Sequence, residues 1–289
     1  MPSRLFMALL RLRIIRWFAR RIVTPFTPFV LSDAWLSPEI HKYGLQTLNK
    51  TAVDLSKNRE FLPDKTNPIF FVQSDQLEVF RDTVLRRISR PFILVSGKWH
   101  LPSLTTDQVV SDILASPFLT TWYSHNTPSP AKILPFPYGV NLSSAPLIWA
   151  AARLRPVIGF RRKGLFVPYA RIHSHLEGAV RETRLRIQET AKSPRLGLTR
   201  YLLAVLRHQY VISPQGDRPD TYRHWESIAL GAVPVSDLAP HWTELFGEHM
   251  VFVENLPKSL GDKLPEETFR PGTHLVSVKY WRETLRRDD

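Results

Sequence analysis

Short apolar runs alternate along this chain with longer stretches in which apolar residues recur every three or four positions. Runs of the first kind, bounded by Pro, Gly and polar residues, predict buried strands at 69–73, 92–95, 118–123, 132–134, 164–168, 209–213, 232–235 and 250–253. Stretches of the second kind predict helices over 75–89, 107–114, 177–190, 198–207, 222–230, 241–246 and 277–287, the second capped by Thr106 or Asp107. In the 177–190 helix Arg181, Arg184 and Arg186 read as solvated. Strands that alternate with helices in this way belong to parallel sheets of an α/β fold. The segment 31–66, punctuated by Pro38 and Pro63, reads as irregular connection with short helices, and 142–162 as a bridge between two halves.

The pattern therefore divides the chain into a leader (1–30), a first α/β half (31–150) and a second (151–289). A length of 289 residues accommodates two compact halves with ample core. The content is globular, at 43% hydrophobic and 22% charged residues. With no cysteine there is no disulfide, thiol nucleophile or zinc–thiolate site.

The net charge of +13 changes the picture through its distribution. Residues 1–32 carry Arg4, Arg11, Arg13, Arg16, Arg20 and Arg21 and no acid, so the leader supplies six of those charges. Its apolar runs are too short to span a bilayer, and its arginines scatter around a helical wheel. The expectation is association with an anionic membrane surface, or an Arg-rich targeting leader. The remaining positive excess suits acidic small molecules. No Lys/Arg stripe with interleaved aromatics points to nucleic acid.

The densest chemistry lies between Tyr210 and Val235. A buried strand ends at Ser213, a polar loop carries Gly216, and a helix carries Arg223 and Glu226 three residues apart on one face. Helix N-termini present N–H groups without intrahelical partners and the positive end of a dipole, which attract phosphate. A carboxylate one turn into the helix accepts hydrogen bonds from ribose hydroxyls. That pair of features suits a nucleotide diphosphate bearing a sugar. The same spacing also serves a solvated ion pair on an ordinary α/β helix.

Pro214-Gln215-Gly216, the polar loop, Arg223-x-x-Glu226 and Gly231-Ala232-Val233-Pro234-Val235 together resemble the donor-binding half of exostosin-type glycosyltransferases. Upstream, the strand at Phe92–Ser96, Trp122-x-x-x-Asn126 and Pro137-Tyr138-Gly139-Val140-Asn141 are similar to the acceptor-side half of that group. The resemblance implies an α/β protein of two Rossmann-like halves facing a cleft, a compact GT-B-type fold. It implies that Arg223 faces the donor diphosphate, that Glu226 meets the ribose, and that Gly216 lets the backbone approach the nucleotide, with Ser213 beside it. The chain departs from the family in having no cysteine near the Pro-x-Gly loop. It also has Lys98-Trp99-His100 where an acidic residue commonly follows the upstream strand.

In such an arrangement the loop holding Arg171, His173 and His175 faces the cleft, where a cation stabilises the leaving diphosphate electrostatically. His173 and His175 diverge on a helix and have no obvious third partner, so no metal site is expected. Gly159 and Gly164 have phosphate-loop spacing, but Leu165 and Phe166 stand where Lys and Ser/Thr are required. An inverting transfer needs a base for the acceptor hydroxyl, and His100, His125 and Asp75 follow first-half strands. The expected activity is metal-independent transfer of a sugar from a nucleotide-diphosphate donor to a glycan or glycoprotein. No cofactor is expected beyond that co-substrate. The family points to membrane association in the Golgi or secretory pathway, with the cytoplasmic face left open. The alternatives are a catalytically silent glycan- or nucleotide-binding protein of the same fold, or a basic protein that binds membrane surfaces or nucleic acid.

Overall fold

A computed structural model describes residues 45–48, 69–72, 74, 77–97, 108–125, 127, 133–141, 144–158, 163–173, 176–216, 218–256, 270 and 272–287. The chain forms two compact units. One comprises Asp33–Pro137 with Lys279–Asp289, and the other includes Tyr138–Val278. The division thus falls at Pro137/Tyr138, ahead of the 150/151 boundary read from the sequence, and the last helix belongs with the first unit.

The first unit is built on five parallel strands in chain order: β1 (Leu45–Leu48), β2 (Ile69–Val72), β3 (Phe92–Ser96), β4 (Leu119–Ser124) and β5 (Ile133–Pro135). All five residues of β3 are buried, as expected for a central strand covered on both faces. A helical run crosses from β2 to β3, α-helical over Leu77–Val79, π-helical over Phe80–Val84 and 3-10 over Leu85–Arg87. It delivers Phe80 to a cluster with Phe70 and Phe92, their ring centroids 5.6–6.2 Å apart and tilted or edge-on. Helix α1 (Gln108–Leu114) adds Val110 and Ile113 to the same core.

The second unit opens with a helix where the sequence suggests a bridge: α2 spans Ala145–Ile158. Its sheet has four parallel strands, again in chain order: β6 (Lys163–Phe166), β7 (His208–Ile212), β8 (Val233–Ser236) and β9 (Val251–Phe252). Helices α3 (Gly178–Ala191) and α4 (Leu198–Arg207) connect β6 to β7. Helix α5 (Tyr222–Ala229) connects β7 to β8, and the short α6 (Thr243–Phe246) precedes β9. The core gathers Tyr210, Ile212, Val233, Val235, Val251 and Ile187.

Parallel sheets with helical crossovers make both units Rossmann-like α/β. Among the described strands neither sheet reverses its order, so each offers a single carboxyl edge rather than a switch point. The last helix, α7 (Val278–Arg287), places Trp281 edge-on to Phe136 at 5.0 Å and to Tyr123 at 6.4 Å, both in the first unit. Among the described residues no helix is long and apolar enough to cross a membrane.

Candidate functional site

In the second unit the loops that follow β6, β7 and β8 are tied together at the carboxyl edge of the sheet. The residue that ties two of them is Arg184 of α3. Its guanidinium donates to Arg171 O (2.8 Å), Gln215 O (2.7 Å) and Pro214 O (3.2 Å). Arg184 is buried, not solvated as the charge pattern of its helix suggests. Three carbonyl acceptors explain why a charged side chain is retained there: each satisfies a donor that burial strips of water. Gln215 continues the chain of contacts, its backbone N–H donating to Asp237 Oδ1 (3.0 Å) and its side-chain amide to Asp237 O (2.7 Å).

Gly216 sits inside this knot. A Cβ there would stand 3.0 Å from the Thr221 methyl and 3.5 Å from Arg184. The close approach that requires glycine is therefore made by the protein's own side chains. Gly216 N–H donates to Arg218 O at 2.9 Å, which turns the loop toward α5.

Beneath the loop lies a buried polar network. Asp220 is fully buried and accepts from Tyr138 N–H (2.8 Å) and Trp225 Nε1 (2.8 Å). His224 Nδ1 lies 3.0 Å from Asp220 Oδ1, and its Nε2 lies 3.0 Å from Ser213 O and 3.2 Å from Ser236 Oγ. Thr221 N–H also reaches His224 Nδ1, at 3.2 Å, closing one half of a capping box at the start of α5. Asp220, His224 and Ser236 line up in the order of a hydrolytic triad, but Ser236 and His224 are both sealed in the core. The network locks Tyr138, the β7 loop and α5 into one body.

Glu226 is half-buried in the second turn of α5. Ser144, at the start of α2, donates to its Oε1 at 3.2 Å. Burial pushes the Glu226 carboxyl above its ordinary range, opposed by the charge of Arg223 and the hydroxyls of Tyr201 and Ser144. Tyr201, from α4, has its hydroxyl buried beside Glu226 and Arg223 without closing a hydrogen bond of good geometry. Burial, reinforced by the Glu226 charge, raises its pKa, so the phenol is neutral. Arg223 donates to Tyr169 O at 3.1 Å, in the loop after β6. The pair Arg223–Glu226 is thus half-buried and linked to three other elements, unlike a solvated surface ion pair.

Of the donor-side candidates, Arg171, Ser213, Gly216, Arg223 and Glu226 share this unit, with Arg171 and Ser213 on loops at the strand ends. Arg171 contributes its backbone carbonyl to Arg184, and its side chain is exposed. His173 is half-buried, and its carbonyl accepts from Leu176 N–H at 3.1 Å. Of the candidate bases, His125 belongs to the first unit. It is buried at the end of β4, stacked on Phe136 at 5.6 Å and pressed against Gly97, where an added Cβ would stand 2.4 Å from Nδ1. Asp75 and His100 lie outside the described residues, as do His175, Asn126 and the leader 1–30. Among the described residues no three His, Asp or Glu side chains gather as a metal centre requires.

The sequence reading missed Ser144, Arg184, Tyr201, Arg218 and Asp220. Asp220-Thr221 ahead of an amphipathic helix is a legible cap signal. Ser144, Arg184 and Tyr201 meet the site across long sequence separations and leave no local trace, and Arg218, although inside the loop, carries no local signal of its burial. No protein-family model matches the chain, and no curated protein matches it.

Proposed function

We propose that the second unit is the donor-binding half of a glycosyltransferase that uses a nucleotide-diphosphate sugar. The carrying observation is Glu226. Its half-buried carboxylate is held by Ser144, beside Arg223, on the helix that follows the knotted loop of a parallel sheet. A carboxylate accepts two hydrogen bonds from a vicinal diol, which is what a ribose offers, and a site poor in water strengthens those bonds. Ligands of α/β sheets bind at the carboxyl ends of the strands, where this loop lies. The resemblance carried by Pro214–Gly216, Arg223-x-x-Glu226 and Gly231–Val235 narrows the ligand to a nucleotide sugar and the chemistry to an inverting, exostosin-like, metal-independent transfer. The acceptor is a glycan or glycoprotein, and the proposed setting is a membrane surface of the secretory pathway, with the basic leader on anionic lipid.

The test is thermal denaturation against a panel of nucleotides and nucleotide sugars, with and without divalent metal, for wild type and Glu226→Ala. A ligand that binds the folded state alone raises the melting temperature by mass action. The expected result is a metal-independent rise with one UDP- or GDP-sugar that disappears in Glu226→Ala. A well-folded wild type that responds to no nucleotide overturns the donor-site reading.

A further inference from the structure

Arg218 is buried to within 6% of full exclusion from solvent. A guanidinium carries five donors and a permanent charge, and such groups are retained in interiors when they are paired. Arg218 makes one side-chain hydrogen bond, from Nη1 to Tyr138 Oη at 3.2 Å, and lies over the Tyr138 ring at 5.7 Å. Among the described residues no carboxylate stands within ion-pair distance of it. The adjacent Asp217 lies outside the described residues, and Asp220, two positions on, is engaged with Tyr138 N–H, Trp225 and His224.

In the same unit Ser213 Oγ, just past β7, is buried without a partner, and Thr221 caps the N-terminus of α5. The first turn of a helix adds backbone N–H groups and the positive end of its dipole. A planar fork, hydroxyls and a helix N-terminus together match an oxyanion of the phosphate class. Arg223 is differently disposed: its guanidinium donates to Tyr169 O and is balanced by Glu226.

We propose that Arg218, with the first turn of α5, is the diphosphate-binding element of this unit, and that Arg223 serves instead to hold Glu226 and the β6 loop in position. The inference rests on the nucleotide-sugar reading for the identity of the ligand, and on the under-paired guanidinium for the anion itself. An arriving phosphate supplies the acceptor oxygens that the Arg218 fork lacks and neutralises a buried charge.

The experiment is titration calorimetry of the full chain with inorganic pyrophosphate, UDP, GDP and the matching nucleosides. The variants are Arg218→Gln, Arg218→Lys and Glu226→Ala. Wild type is expected to bind pyrophosphate and one nucleoside diphosphate, and Arg218→Gln to weaken both by at least about tenfold, the loss of one charge-assisted hydrogen-bond pair. Arg218→Lys keeps the buried charge and the packing while losing the fork, so it stays folded and binds pyrophosphate several-fold more weakly. Wild type that binds neither pyrophosphate nor a nucleoside diphosphate overturns the inference, and so does Arg218→Lys with wild-type affinity for pyrophosphate. The two readings fail separately. Nucleotide-sugar binding that is lost in Glu226→Ala but unchanged in both Arg218 variants overturns the Arg218 assignment alone. Pyrophosphate binding lost in Arg218→Gln, without any response to nucleotide sugars, overturns the donor reading alone.

Discussion

Glu226 and Arg184 show how burial changes what a charged residue is for. Both occupy helices that the sequence presents as amphipathic and charged, and both turn inward to meet partners far away in the chain. For Glu226 the consequence is measurable. Its folded-state pKa lies above the ordinary 4.5 because burial disfavours the anion. Between those values the folded protein binds more protons than the unfolded chain, so stability falls as pH rises through the window that opens near 4.5. Replacing Glu226 by Gln removes that titration. The expected outcome is a melting temperature that declines less steeply with rising pH in this window for Glu226→Gln than for wild type. Parallel curves for the two proteins, measured by circular dichroism, contradict the assignment of a raised pKa to this carboxyl.

At the scale of elements, the loop between β7 and α5 is held from outside itself. Arg184 of α3 supplies three donors to carbonyls of two loops, and Asp237 after β8 fixes Gln215. Arg184→Leu keeps the buried aliphatic volume but leaves those carbonyls buried without donors, a cost of about 3 kcal/mol for the set. Amide exchange is expected to accelerate at 213–216 and 170–172 in this variant while β8 stays protected. Uniform protection, equal to wild type, means that the loops do not depend on Arg184. Much of the secondary structure here was legible. The buried apolar runs expected at 69–73, 92–95 and 209–213 form strands over Ile69–Val72, Phe92–Ser96 and His208–Ile212, within a residue of their expected ends, because a parallel strand covered on both faces has to be apolar throughout. Helix α2 was not legible: 142–162 reads as a bridge, yet Ala145–Ile158 is helical, Pro146 and Pro156 included. Pro146 falls in the first turn, which lacks intrahelical acceptors for its N–H groups in any case.

At the scale of the whole molecule, α7 is the element whose place in the chain and place in the fold diverge. It follows the second unit in sequence, yet Trp281 packs on Tyr123 and Phe136 of the first. Trp281→Ala is expected to destabilise the first unit by about 3–5 kcal/mol, the usual cost of deleting a buried aromatic. In limited proteolysis, cleavage of the first unit accelerates while the β6–β9 sheet resists as in wild type. Equal acceleration in both units, or in neither, contradicts the assignment of α7 to the first.

The sequence by itself determined the α/β class, the alternation of strands and helices, and the strand–loop–helix–strand order of the stretch from Tyr210 to Val235. These properties are local: apolar runs, helical periods and cap residues exert their effects over a few positions, so they can be read along the chain. The tertiary structure decided what each charged residue faces. It buried Arg184 against carbonyls, set Ser144 on Glu226, folded Asp220 onto Tyr138, pressed His125 against Gly97 and left the Arg218 guanidinium with a single hydrogen bond among the described residues. It also carried the last helix back to the first unit. The physical reason is that burial and pairing of a charge depend on which distant segments fold against it, and no local pattern encodes that proximity.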